Sequence, residues 1–293
     1  HGLHQGRFNN LNIDIAAITN LSHDHLDYHK NFRLYEKSKF LLFTKILKTN
    51  GTAVINFKLK NYKTLKKKLL LKKIKIITFG SKDVYFKDEK TKVLIIFNKK
   101  YKIKNLILNN MQKENLECAI ACAIAMKISL TKILGILNKL KSAIGRFQVI
   151  NYSKKKSKII IDYAHTPEAL KYLLKTYTDK KLQPSVVFGC GGDRDKNKRR
   201  KMALVAKKYA KKVYITDDNP RNENPKNIRK NLKKYCPKGI EVSDRYEAIN
   251  LAILQIHKNE ILIIAGKGHE KFQIIKNKKI KFDDYKIAKN LIS

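Results

Sequence analysis

The stretch Lys212-Val213-Tyr214-Ile215-Thr216-Asp217-Asp218-Asn219-Pro220-Arg221, followed by Asn224-Pro225, decides how the second half of this chain folds. Val213-Tyr214-Ile215 is β-branched and aromatic, the composition of a short buried strand. Asn224-Pro225 opens a helix, because proline at the first helical position gives up no useful N–H. The residues between them stand where a strand of an α/β sheet hands over to a helix, the usual edge of a ligand crevice. Two acids, an amide and a guanidinium crowd around Pro220 there. Taken alone, the loop is an acidic turn with a solvated arginine. The rest of the chain decides whether it is more.

From residue 158 onward the pattern around this stretch is regular. Strands are expected at 158–163, 185–190, 212–216, 240–242 and 261–265, alternating with helices at 167–177, 197–210, 225–235 and 245–257. Alternation of this length predicts a mostly parallel sheet with helices on both faces. A hairpin over 273–283 and a helix from Tyr285 close the chain. The first half predicts strands at 13–21, 52–57 and 74–79, a turn at Gly51, and a β insertion over 83–108. Helices are expected at 31–47, 61–72, 112–128 and 131–140. Ala143-Ile144-Gly145-Arg146 marks the boundary, giving domains at 1–142 and 143–293.

With 293 residues, 43% hydrophobic and 30% charged, the chain is globular and long enough for two cores. No run approaches the roughly 20 apolar residues of a spanning helix, and no signal peptide pattern opens the chain. Cys118, Cys122, Cys190 and Cys236 have no metal-type spacing; Cys118 and Cys122 share a helix face, and a reducing, cytoplasmic setting is expected. The formal net charge of +41 is the footprint of a nucleic-acid binder. The lysines are spread along the whole chain, however, amid abundant isoleucine and asparagine, without any aromatic-interleaved basic motif. A solvated basic surface, attractive to polyanions at low salt, is the expected reading, with no specific nucleic-acid partner.

Four strand ends collect the unusual residues: Asp162-Tyr163-Ala164-His165-Thr166-Pro167, Gly189-Cys190-Gly191-Gly192-Asp193-Arg194-Asp195, the opening loop, and Gly266-Lys267-Gly268-His269-Glu270. A glycine turn is often only a tight corner and a lone histidine is often structural. Four such junctions on one rim of a parallel sheet exceed what packing needs. Arg194 and Arg221 offer bidentate cations, Glu270 an anion and Asn219 an amide, a set suited to a zwitterion carrying carboxylate and ammonium. The glycines around Lys267 let backbone N–H groups approach an anion. In the first half, Asp24, His25, Asp27 and His29 crowd a strand end with Lys39 on the next helix. That cluster suits a divalent ion such as Mg²⁺, or simply a polar helix cap.

These motifs, with Thr19-Asn20-Leu21-Ser22-His23-Asp24-His25, Tyr35-Glu36-Lys37-Ser38-Lys39, Gly145-Arg146 and Asp218-Asn219-Pro220-Arg221, occur in an order that resembles the Mur ligases of the MurE type. The resemblance covers essentially the whole chain. It implies the remainder of a P-loop-type central ATPase domain followed by a Rossmann-like C-terminal domain, and ATP and Mg²⁺ as cofactors. The implied reaction adds meso-diaminopimelate to UDP-N-acetylmuramoyl-L-alanyl-D-glutamate through an acyl phosphate, in peptidoglycan precursor synthesis. By resemblance, His25 and a carbamylated Lys39 bear on Mg²⁺, Asn115, Arg146 and Asp162 on the nucleotide, and Gln5 and Arg7 on the UDP substrate. Arg194, Asn219, Arg221, Gly266 and Glu270 fall to diaminopimelate, and Arg221 would grip the carboxylate that lysine lacks.

Two departures qualify this. The family's amino-terminal UDP-binding domain and its glycine-rich P-loop, Gly-x-x-Gly-Lys-Thr/Ser, are both expected upstream of the His1-Gly2-Leu3 segment, and no P-loop occurs in the sequence, so nothing in it cradles the β and γ phosphates. The chain tested alone is therefore expected to lack ligase turnover, and a separate N-terminal fragment is a conceivable partner. Met111-Gln112-Lys113-Glu114-Asn115 also replaces a more apolar, asparagine-rich family segment. The competing readings are a basic non-catalytic nucleic-acid-binding protein, favoured by the charge, and a degenerate remnant of the ligase, opposed by the intact motifs.

Overall fold

The computed structural model describes residues 2–21, 26–87, 93–103, 110–140, 142–178 and 182–293; the side chains of 26, 27, 110 and 111 are also left aside. The chain divides into two compact units, His1–Leu140 and Lys141–Ser293.

In the first unit the order is β1 (Ile13–Ile18), α1 (Leu26–His29), α2 (Phe32–Leu41), β2 (Leu47–Asn56), α3 (Tyr62–Leu71), β3 (Lys75–Phe79), β4 (Val84–Phe86), β5 (Val93–Ile96), β6 (Lys99–Lys102), α4 (Asn110–Ala125) and α5 (Leu130–Leu137). Strands β1 to β4 run parallel, and the β4–β5–β6 meander extends the same sheet antiparallel. Successive residues of β2 serve opposite faces, as a pleat requires. Ala53 and Ile55 pack with Leu65 and Leu69 of α3, whereas Val54 packs with Cys118 and Ala121 of α4.

The turn expected at Gly51 is absorbed into β2. Ile13 pairs with Leu47 and Ile15 with Thr52, so the intervening residues bulge, with Asn50 at φ 63°. The helix expected to reach residue 47 ends earlier, because α2 widens into a π-helical turn at Leu42–Ile46 that delivers Leu47 straight into the strand.

The second unit contains β7 (Gln148–Tyr152), β8 (Ser157–Asp162), α6 (Pro167–Thr178), β9 (Ser185–Phe188), α7 (Asn197–Tyr209), β10 (Val213–Ile215), α8 (Pro225–Tyr235), β11 (Ile240–Glu241), α9 (Arg245–Leu254), β12 (Ile261–Ala265), β13 (Phe272–Ile275), β14 (Lys278–Lys281) and α10 (Asp284–Ile292). Its sheet order is β11-β10-β9-β12-β8-β7. All neighbours are parallel except β7, an antiparallel edge strand that the sequence pattern does not announce. One face, with Ile160, Val186, Phe188 and Ile263, packs with α6, α7 and α8; the other, with Ile161, Val187, Tyr214 and Ile264, packs with α9 and α10. Because β8, β9, β10 and β12 are parallel, their carboxyl ends open on one rim. Among the described residues no helix is long and apolar enough to cross a membrane.

Candidate functional site

The rim brings the expected residues together. The loop after β10 is clamped by both neighbours. Gly192 N–H donates to the Asn219 carbonyl (2.9 Å), and Arg221 exchanges backbone bonds with β13, its N–H donating to Ile274 O and its carbonyl accepting from Lys276 N–H. Arg221 sits at φ 51°, an unusual conformation for a residue with a side chain. Its Nη1 donates to Gly192 O at 2.9 Å, leaving the other guanidinium nitrogens for a ligand. A Cβ built on Gly191 would lie 2.8 Å from Arg221 Nη1 and 3.8 Å from Arg194 Cγ, so both arginines flank that glycine. Arg194 itself is exposed.

On the same rim lies a largely buried network. Asn219 donates through Nδ2 to Glu270 Oε2 (2.9 Å), and its Oδ1 accepts from Lys267 Nζ (2.9 Å) and Ile274 N–H (2.9 Å). Lys267 is fully buried and also lies 3.2 Å from Glu270 Oε2 and 3.8 Å from Asp218 Oδ1. Gly266 adopts φ 113°, and a Cβ there would come within 2.9 Å of Asp218 Oδ2; only glycine fits between that strand end and the carboxylate. The anion beside Gly266 is thus the protein's own.

The two acids of the loop have separate duties. Asp217 faces α8, bonded to Arg229 at 2.5 Å, while Arg229 also meets Glu241 at 3.0 Å. Burial raises the Asp217 carboxyl despite that arginine. Asp218 faces inward to Lys267. The bland account, an acidic turn with a spare arginine, does not describe this arrangement.

At the end of β8, Asp162 accepts from Phe147 N–H (2.7 Å) and Ala164 N–H (2.8 Å), tying the Gly145–Phe147 turn to the strand. Burial raises its carboxyl, against these bonds and the nearby Arg146. Gly145, at φ 67°, lies so close to the Gly266–Glu270 turn that a Cβ would meet His269 N at 2.1 Å. Arg146 is exposed and lays its guanidinium 4.4 Å from the Tyr163 ring centroid, a cation–π contact. Tyr163 also packs edge-on to His165 and tilted against His269. Burial, and then Glu270, push the Tyr163 phenol up.

In the first unit, Gln5 and Arg7 are exposed in a run of turns. Next to them, His4 Nδ1 lies 3.0 Å from the Tyr28 hydroxyl. A chain of ring contacts continues from His4 through His29 to Tyr35, over which the exposed Lys39 ammonium sits at 5.4 Å. Asn115 is exposed on α4. His25 lies outside the described residues, and among those described no three His, Cys, Asp or Glu side chains gather as a metal site. All four cysteines are free.

Sequence reasoning missed the centre of the cluster. Lys267 is noticed only as the residue between two glycines, and Asp218 only as one of two acids. The available signal was a cation at the end of a wholly apolar strand, where its side chain has no route to water.

Fold and cluster define a two-unit α/β protein whose second sheet carries a pair of arginines and a buried lysine–carboxylate network on its carboxyl rim. Residues 1–123 match the Mur ligase middle domain and residues 145–268 the Mur ligase, glutamate ligase domain. The chain belongs to the Mur ligase family and carries these two domains. A relative from Rickettsia bellii, named UDP-N-acetylmuramoyl-L-alanyl-D-glutamate--2,6-diaminopimelate ligase, is 38% identical over 98% of this chain. A solved structure of a ligase with the same name is 35% identical, with a TM-score of 0.60 over 100% of the chain. MurF from Acinetobacter baumannii, 14% identical with a TM-score of 0.70 over 95% of the chain and 59% of its own, shares the fold. This chain spans 62% of the length of the Rickettsia relative and 62% of the solved diaminopimelate ligase.

Proposed function

We propose that this chain supplies the amino-acid site and part of the nucleotide site of a ligase that joins meso-diaminopimelate to the D-glutamate carboxylate of UDP-N-acetylmuramoyl-L-alanyl-D-glutamate, in the cytoplasm. The observation that carries the reading is the division of charge on one rim. Arg194 and Arg221 flank Gly191 on one side, and Glu270 is held by Asn219 and Lys267 on the other. A substrate with a carboxylate and an ammonium at the same carbon matches that division. Arg221, already bonded to Gly192 O through one nitrogen, retains donors for the second carboxylate that distinguishes diaminopimelate from lysine. Leaving those donors unpaired against lysine makes the site selective. Glu270 holds the amino group and so orients the attacking nitrogen, the positioning contribution to amide formation.

A nucleotide fits the residues of the β8 rim. Arg146 presents an exposed planar cation braced on Tyr163, and Asp162 is a carboxylate fixed by two backbone amides. Asn115, an exposed amide on α4, is assigned to the nucleotide by resemblance and not by its place beside these residues. When bound, ATP would supply the phosphoryl group that activates the glutamate carboxylate. Among the described residues no three His, Cys, Asp or Glu side chains gather to hold a divalent cation, and His25 lies outside them. Gln5 and Arg7, exposed near His4, are assigned to the UDP substrate.

Titration calorimetry of the 293-residue chain with meso-diaminopimelate and with L-lysine tests the proposal. Diaminopimelate binds at least about tenfold more tightly, the worth of one charge-assisted hydrogen bond. Equal affinities would remove the specificity on which the reading rests.

A further inference from the structure

Lys267 has no exposed surface at all, yet its ammonium sits directly behind the rim. A buried lysine is expensive unless it is paired and hydrogen-bonded, and this one is both. Of its three donors, one meets Asn219 Oδ1 at 2.9 Å and one Glu270 Oε2 at 3.2 Å, with Asp218 Oδ1 at 3.8 Å. The bond to Asn219 Oδ1, together with that from Ile274 N–H, fixes which end of the amide is oxygen. The NH₂ end is thereby aimed at Glu270. One oxygen of Glu270 is held twice, by Asn219 and by Lys267, while its side chain remains 31% exposed.

The charges close in an instructive way. Asp218 and Glu270 contribute two negative charges and Lys267 one positive. The nearby Arg245 has its own bidentate partner, Asp284, at 2.9 and 2.8 Å. Asp218, Glu270 and Lys267 by themselves sum to one negative charge, and Glu270 is the member that reaches the surface; Arg245, although paired with Asp284, also acts on both carboxylates from the interior. A single negative charge is the complement of one ammonium group.

We infer that Lys267 is a specificity-determining positioning residue: from the interior it fixes Glu270 and Asn219 so that the rim presents a single, oriented carboxylate to the α-ammonium of the incoming amino acid. Lys267 touches no ligand in this role. Without it, Asp218 loses the cation 3.8 Å away and Glu270 keeps its bonds to Asn219 and Tyr163 but loses its buried cation, so the ammonium-recognising wall is loosened while the arginines beside Gly191 stay in place. The inference rests on the amino-acid reading of the rim made above.

The test compares two ligands that differ only in their amines. Meso-diaminopimelate carries ammonium and carboxylate at both ends; pimelate has the same chain and carboxylates and no nitrogen. Calorimetry of the 293-residue chain is expected to show diaminopimelate binding more tightly than pimelate. In Lys267→Met the ratio of the two affinities falls about tenfold, the value of one hydrogen bond to a charged group, with pimelate unchanged. Lys267→Gln, which fills the space and still donates but carries no charge, narrows the ratio in the same direction, so the outcome does not depend on the methionine variant folding. An unchanged or widened ratio in both variants, or equal weakening of both ligands as a purely structural role would give, overturns the inference alone. A wild-type chain that does not prefer diaminopimelate to pimelate overturns the amino-acid reading and this inference with it.

Discussion

Both units wrap a six-stranded sheet in helices, yet they treat charge in opposite ways. The second unit buries it. Lys267, Arg245 and Asp284 have no exposed surface, Asp218 and Arg229 very little, and each has an opposite charge as partner. In the first unit the described residues assigned to chemistry, Gln5, Arg7, Lys39 and Asn115, all stand exposed, whereas in the second the exposed Arg146 and Arg194 stand beside a buried network. The ion pairs described there, Lys48–Asp14 and Lys58–Glu114, lie at the surface. Among its described residues one carboxylate is buried, Glu117, with a bond from Phe86 N–H and an oxygen with no partner. The lesson concerns preorganisation. A wall built from interlocked buried charges is rigid before a ligand arrives, whereas exposed side chains must be ordered on binding, at a cost in rotamer freedom.

The largest effect expected from this contrast is at Arg245–Asp284. Asp284→Ala strands a fully buried guanidinium that also bonds the carbonyl of Ala265 at the end of β12. Breaking such a pair costs about 3–5 kcal/mol, readable as a lower urea midpoint. A loss below about 1 kcal/mol would show that the second unit does not depend on its buried ions.

Next comes Glu117. Burial, its leading cause, raises this carboxyl from 4.5 to about 7, against the opposing bond from Phe86 N–H. The folded state therefore holds the proton more tightly than the unfolded chain. The corresponding stability is full below about 4.5, falls as the pH rises toward about 7, and is gone above it. The swing is on the order of 3 kcal/mol, and Glu117→Gln flattens it in urea melts between pH 5 and 8. A profile identical to wild type would contradict the assignment. The smallest effect belongs to Lys48→Ala, since the pair with Asp14 is 42% and 80% exposed; its change stays within about 0.5 kcal/mol, measured in the same melts.

Much of the second unit was legible in the sequence because parallel sheets write themselves as apolar runs separated by helical periods, as at Ile261–Ala265 and Val213–Ile215. The same regularity placed Arg194, Arg221, Asn219 and Glu270 on one rim before any coordinates. Edge strand β7 was not legible: Gln148–Tyr152 has only Ile150 fully inside, so its hydrophobic signal is weak. Nor were the roles of Asp217 and Asp218, because adjacent residues in a turn diverge according to neighbours far along the chain, Arg229 for one and Lys267 for the other. Glu117 was hidden likewise. A glutamate in an alanine-rich helix reads as a surface residue until the amide of Phe86, distant in sequence, is brought against it.

The central claim is that the rim of the second unit selects an amino acid by its second carboxylate, and Arg221 tests it most directly. In calorimetry of the 293-residue chain, Arg221→Ala is expected to lower the affinity for meso-diaminopimelate at least about tenfold, to the level of L-lysine, with lysine itself unchanged. A variant that keeps its preference for diaminopimelate, or that weakens both ligands alike, would contradict the account.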